Sequence, residues 1–193
     1  MSQSGENLRV RRTRRLLRGA LVELIEERGF DKVTVGEVTE RAMVSRASFY
    51  RNYRDKYHLV EQIFDEAMAE LLGAAADGSR PPLERWVGFF EHIAARHRFY
   101  GALLGRKGSP WFADRMRTAL AEMVAEHLEV PDEAAAAPEA GLVPTVLASV
   151  FLQSITWWLE NGRPVPPREI AHRSARLAGA LITEANGWGG RPR

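Results

Sequence analysis

The stretch Thr34-Val-Gly-Glu-Val-Thr-Glu-Arg-Ala-Met-Val-Ser-Arg-Ala-Ser-Phe-Tyr-Arg-Asn-Tyr-Arg-Asp-Lys-Tyr-His-Leu-Val60 decides the fold. Thr34 stands three residues before Glu37, a Thr-x-x-Glu box whose side chains satisfy free amides at a helix start. A short helix is predicted over Val35 to Arg41. Met43 and Val44 break it, and Ser45 is placed to cap a second short helix, roughly Arg46 to Asn52. Two such helices about a turn of three or four residues have helix-turn-helix spacing. Asp55 can cap a longer helix whose apolar stripe runs through Leu59, Val60, Ile63, Phe64, Ala67, Met68, Leu71 and Leu72 up to Gly73.

Upstream, Leu16, Leu17, Ala20, Leu21, Leu24 and Ile25 recur at three- and four-residue spacing, which predicts a helix from about Val10 to Arg28 ended by Gly29. Its start is strongly basic: Arg9, Arg11, Arg12, Arg14, Arg15 and Arg18 meet no acid until Glu23. The chain as a whole carries only +2, but residues 1–62 hold thirteen basic against nine acidic side chains, and residues 63–193 hold fourteen against sixteen. A cationic cluster leading into a helix suits a polyanion, because each neutralised phosphate releases condensed counterions. A solvated charged helix start is the plainer reading of the same residues, and an anionic membrane surface is a third.

Downstream, Asp77-Gly-Ser-Arg-Pro-Pro82 reads as a linker. Helices are predicted at about Pro82–Leu104, Pro110–Leu128, Val143–Asn161 and Pro167–Ala185. Ser109-Pro110 marks one start, and Asn161-Gly162 with Pro164 marks one stop. Val130 to Gly141 is expected to be a loop, and the tail from Asn186 to lack structure. The fold class expected is all-α, with a helix-turn-helix domain over residues 1–58 and a larger helical domain over 59–193.

Composition excludes other classes. Forty-five per cent hydrophobic residues supply a core, so the chain of 193 residues is not disordered. It has no cysteine, hence no disulfide framework, thiolate site or cysteine nucleophile. The polar N-terminus lacks the apolar run of a secretory signal, and a cytoplasmic location is expected. Ala140 to Leu159 carries no charge for twenty residues, a length that can span a bilayer. Pro144, Ser149, Gln153 and Ser154 suit a helix buried among helices better. Phosphate-loop and His-Glu-x-x-His motifs are missing. His92 and His97 are spaced poorly for one helical face. Glu169-Ile-Ala-His172 has di-iron spacing but no second copy. No enzyme, metal or catalytic cofactor is expected.

The segment from about residue 10 to 62 resembles the DNA-binding region of the TetR (tetracycline-repressor-like) family of transcriptional regulators. Val44-Ser45-x-x-Ser48-Phe49-Tyr50-x-x-Tyr53, followed by Lys56 and Leu59, carries the likeness. Phe99-Tyr-Gly-Ala-Leu-Leu-Gly-Arg-Lys-Gly-Ser-Pro110 is similar to C-terminal ligand-binding and dimerisation domains of some members. The family pattern has glycine where this chain has Met43. A side chain on a left-handed backbone costs about 1–2 kcal/mol, so a relaxed turn and a tilted second helix are one expectation.

In a helix-turn-helix the second helix enters the major groove and the first braces the backbone. Arg46, Ala47 and Ser48, on its leading turn, are therefore candidates for base edges, with Arg46 the guanine donor. Tyr50, Ser45, Thr34 and Lys56 suit phosphate, a role the resemblance also implies. Arg11 and Arg12 join them from the basic arm, while Asn52 and Arg51 fit either group. Phe49 and Tyr53, four apart, read as core. Thr34 and Ser45 would cap helices in any protein. Among the aromatics, Trp86, Phe89, Phe90, Phe99, Trp111, Phe112, Phe151 and Trp157 are candidates to line a ligand cavity or fill core. The apolar helices at 143–159 and 167–185 suit a two-fold four-helix dimer interface. The expectation is a homodimeric regulator of a DNA operator, most simply a repressor, released when a small-molecule effector moves the two recognition helices apart. The alternative is a basic amphipathic helical protein that binds anionic membranes or another protein.

Overall fold

The computed structural model describes residues 2–75, 81–125 and 141–186, with side chains for residues 8, 10–70, 81–125 and 141–185. The expected loop up to residue 140, most of the expected linker, the expected tail beyond Asn186 and the side chains of Arg9, Leu71 and Leu72 lie outside the described residues, while Asn186 itself closes the last helix. Among those described, every regular element is helical. They are α1 (Ser2–Arg28), a 3-10 turn (Phe30–Lys32), α2 (Val35–Arg41), α3 (Arg46–Tyr50), α4 (Lys56–Ala75), α5 (Pro82–Ala95), α6 (His97–Leu104), α7 (Pro110–Ala125), α8 (Leu142–Glu160) and α9 (Pro167–Asn186).

Local chemistry sets most boundaries. Gly29 ends α1 with φ +86°, a left-handed conformation that only glycine adopts at no steric cost. Thr34 and Ser45 cap α2 and α3 as their sequence positions predict. Two expectations are corrected. α1 begins at Ser2, well before Val10. The helix expected over 82–104 is two, interrupted at Arg96 (φ −117°, ψ 27°), whose amide turns back to the carbonyls of His92 and Ile93.

Two compact units result: Met1–Gly78 with Arg106–Ser109, and Ser79–Gly105 with Pro110–Arg193. The division therefore differs from the one expected after residue 58, because α4 belongs wholly to the first unit. Its Leu59, Val60, Ile63, Phe64 and Ala67 are buried, as are Leu17, Leu21, Leu24 and Ile25 of α1. Across the top of these two stripes, Glu66 of α4 takes both Arg14 and Arg18 of α1. In the second unit α8 packs against α7 and α9, and α9 also covers α5. α8 is long and apolar enough to cross a membrane, yet Leu147, Ala148, Phe151, Leu152, Ile155 and Trp158 are buried within its own unit.

Candidate nucleic-acid interface

The site begins with two caps. The Thr34 hydroxyl accepts from the Glu37 amide (3.3 Å) while the Glu37 carboxylate accepts from the Thr34 amide (2.9 Å) and hydroxyl (2.8 Å). Arg28 pairs with the same carboxylate. The Thr34 amide, then its hydroxyl, and the Arg28 charge hold Glu37 below the usual carboxylate range. At the other end of α2, Arg41 bonds Glu27 (2.8 and 3.0 Å) and Glu23 (3.4 Å) of α1. These hydrogen bonds keep its guanidinium more firmly protonated than usual.

The turn that follows is not relaxed. Met43 takes φ +53° and is 92% exposed. The backbone is held there by Met43 N–H to Glu40 O (3.0 Å) and Val44 N–H to Thr39 O (2.9 Å). Two hydrogen bonds thus fix a left-handed residue that gains nothing from its own side chain.

α3 is oriented from beneath by Phe49 and Tyr53, both buried, with ring centroids 5.5 Å apart. Burial pushes the Tyr53 hydroxyl pKa up. At 3.6 residues per turn, the direction opposite these two rings belongs to Arg51, flanked by Ala47 and Ser48. Arg51 still has helical dihedrals (φ −70°, ψ −24°) and is exposed. The Ser48 hydroxyl accepts from its guanidinium (2.6 Å) and from the Ser45 hydroxyl (3.1 Å). Arg46 is exposed, although its phase lies nearer the Phe49 side than that of Arg51. Its guanidinium crosses to α2, where a Cβ on Gly36 would come within 2.7 Å of it.

The expected DNA contacts divide accordingly. Ser45, Ala47 and Tyr50 are exposed on α3 or its cap, Tyr50 being 58% exposed, and Ser48 is half-buried. Arg11 and Arg12 are exposed on α1. The Asn52 amide is spent on the Ser48 carbonyl (2.8 Å), a structural bond. Thr34 is exposed, but its hydroxyl proton points at Glu37. Lys56 departs most: its ammonium donates to the carbonyls of Phe30 (2.7 Å), Val33 (2.9 Å) and Asp31 (3.0 Å). Sequence reasoning left Arg51 undecided, although its phase against Phe49 and Tyr53 was available. It missed Lys107, whose ammonium meets the Glu26 and Glu27 carbonyls at the end of α1.

The candidate ligand-binding aromatics do not form one set. Trp86 stacks on Phe89 (5.0 Å) and meets Phe90 and Phe151 (4.2 Å), while Phe99 and Phe112 (5.8 Å) form a second group with Tyr100. Trp111 is half-buried. Trp157 stands apart, 45% exposed, on an open groove of about 600 Å³ with Thr145, Val146, Ser149, Val150, Gln153, Ser154 and Leu177. A second cavity, about 390 Å³, lies at the α8–α9 connection between Ala94, Trp158 and residues 162–167. Among the described residues no acidic and histidine side chains cluster as metal ligands.

Two family profiles match the chain. One is described as bacterial regulatory proteins of the tetR family, over residues 17–63, and the other as a transcriptional regulator C-terminal region, over residues 84–179. The transcriptional regulator AcuR of Cereibacter sphaeroides is 36% identical over 115 residues, 54% of this chain and 52% of AcuR. An uncharacterised HTH-type regulator of Bacillus subtilis, YxbF, is 39% identical over 56 residues, 29% of this chain and 14% of YxbF. The chain thus matches about half or less of the length of these relatives. Among solved structures, a TetR regulator from Streptococcus agalactiae superposes with TM-score 0.65 at 20% identity, covering 91% of this chain and 98% of that one. Thermus thermophilus FadR, a TetR-family repressor solved with lauroyl-CoA, gives 0.51 at 21% identity, covering 86% and 92%.

Proposed function

The chain belongs to the TetR family of bacterial transcriptional regulators, and from that premise we propose that it binds a pseudo-palindromic operator as a cytoplasmic homodimer, represses from it, and leaves it when a small molecule binds the second unit. Proteins of this family are DNA-binding transcription factors rather than enzymes. The observation that carries the reading is the face of α3. Phe49 and Tyr53 lock the helix inward, and Ala47, Ser48 and Arg51 are presented together on the outward side. Base edges are read by Ser48 and by Arg51, whose guanidinium Ser48 steadies in the fork geometry that matches guanine. Arg46 joins them only by leaving Gly36. Tyr50, Ser45, Thr34, Arg11 and Arg12 set register on phosphates.

The homodimer rests on α8 and α9. Leu142, Val146 and Trp157 of α8 and Leu177 and Leu181 of α9 are exposed apolar side chains, on a unit whose other large side chains are mostly buried. A two-fold axis through this face would cover them all. The effector reading takes its support from the apolar aromatic groups of the second unit and from the lauroyl-CoA that a similar protein holds. Selecting duplexes from a random pool with the purified chain tests the proposal. A two-fold symmetric consensus whose half-site centres lie about 34–36 Å apart supports it. Enrichment of no sequence, together with binding to anionic vesicles that is lost when Arg11 and Arg12 become glutamine, would replace it with the membrane-surface reading.

A further inference from the structure

Only three of the 27 basic side chains are lysine: Lys32, Lys56 and Lys107. An ammonium offers three tetrahedral N–H bonds where a guanidinium is a planar fork, and Lys56 uses that geometry. The carbonyls of Phe30, Asp31 and Val33 converge on its Nζ at 2.7, 3.0 and 2.9 Å, which accounts for all three N–H bonds. The Phe30 ring lies beneath it with its centroid 4.5 Å away, and the Tyr57 ring lies at 5.5 Å. Burial lowers its pKa, against the opposing favourable charges of Asp31 and Glu37. The connection it grips runs directly into Thr34, the cap of α2, and the helix it opens is separated from α3 by only five residues.

We propose that Lys56 is a positioning residue, which fixes the first turn of α4 to the 30–33 connection and so sets how α2 and α3 are presented, without touching a phosphate. The inference rests on the DNA-binding reading and narrows it. Turning outward to a phosphate would strip a charged donor from three carbonyls at once, and a groove contact would have to repay all three.

Reductive methylation of the full chain, resolved by mass spectrometry, gives the first test. Exposed Lys32 should label at least about tenfold faster than Lys56 in the free protein, the factor that one broken charge-assisted hydrogen bond represents. Adding duplex should leave Lys56 unchanged. Labelling of Lys56 at the Lys32 rate, followed by protection on duplex, would overturn the proposal even if no variant folds. The second test measures salt dependence on the selected duplex for the parent, Lys56→Met and Lys56→Arg. Both variants should bind the selected site about tenfold or more weaker, with a smaller preference over a scrambled duplex and the parental slope of log K against log salt. A phosphate ligand predicts instead that Lys56→Arg binds like the parent and that Lys56→Met flattens the slope by about 1.8 for the dimer. A merely structural role predicts a smaller active fraction with parental affinity and preference, and either result refutes positioning. If the parent ignores every duplex, the DNA-binding reading itself has failed, an outcome distinct from a flattened slope.

Discussion

Met43→Gly separates backbone strain from side-chain packing at the centre of the motif. The residue sits at φ +53° and is 92% exposed, so the substitution removes almost no contact. A left-handed L-residue costs about 1–2 kcal/mol. Glycine returns that energy but gives up about 0.4–1 kcal/mol through the greater freedom of the unfolded chain. The net expectation is a gain of about 0.5–1 kcal/mol, or roughly 1–4 °C in melting temperature for a chain of this size. Met43→Ala supplies the control, because it also removes the exposed side chain yet keeps the strain. Differential scanning calorimetry of the three proteins at one concentration measures the effect. DNA affinity should stay within about twofold of the parent, since the Glu40 and Thr39 carbonyls still hold the turn. A glycine variant that melts no higher than the alanine variant would show that the turn stores no such strain.

Three further predictions concern the same surfaces. Arg51→Gln should cost about 1–3 kcal/mol of preference at one base pair of the operator, and Arg46→Gln distinctly less; titration of single-substituted duplexes checks this, and equal losses would deny the outward phase of Arg51. Glu37 has a folded pKa held below its unfolded value, so its charge contributes stability that is complete above about pH 4.3 and is lost as pH falls through the lower folded value. Urea midpoints of the parent and Glu37→Gln should therefore differ at pH 7 and converge only under acid conditions, and a pH-independent gap would contradict the assignment. Leu177→Glu, on an exposed apolar position, should leave helicity intact and weaken dimerisation by roughly a hundredfold or more, as like charges meet across the axis. Sedimentation should then give a monomer, and an unchanged dimer would move the interface elsewhere.

What the sequence made legible was local. Thr34 with Glu37, and Ser45 with Ser48, are contacts within one helical turn, and their spacing alone specifies them. Gly29 and Gly162, both at positive φ, mark helix ends for the same reason. The break at Arg96 left no such mark. Phe89, Phe90 and Ile93 before it and Phe99, Tyr100 and Leu103 after it are all buried, and neither proline nor glycine falls between Ile93 and Phe99. α8 is apolar on several faces, so its pattern could not tell inward Trp158 from outward Trp157; burial did, with Trp158 donating to the Val165 carbonyl at 2.8 Å. Lys56 was the least legible of the candidate contacts. Its partners are backbone carbonyls 23 to 26 residues away, which carry no signature in the identity of the residues that own them.

Two copies of α3 on one face of a duplex are the centre of the account. Inserting five base pairs between the half-sites of the selected operator rotates them by about half a helical turn while leaving every base contact intact. Fluorescence anisotropy titration with the full chain should then show one dimer on the parental duplex and affinity close to that for unrelated DNA on the lengthened one. Equal affinity for both duplexes would contradict a paired, two-fold engagement of the recognition helices.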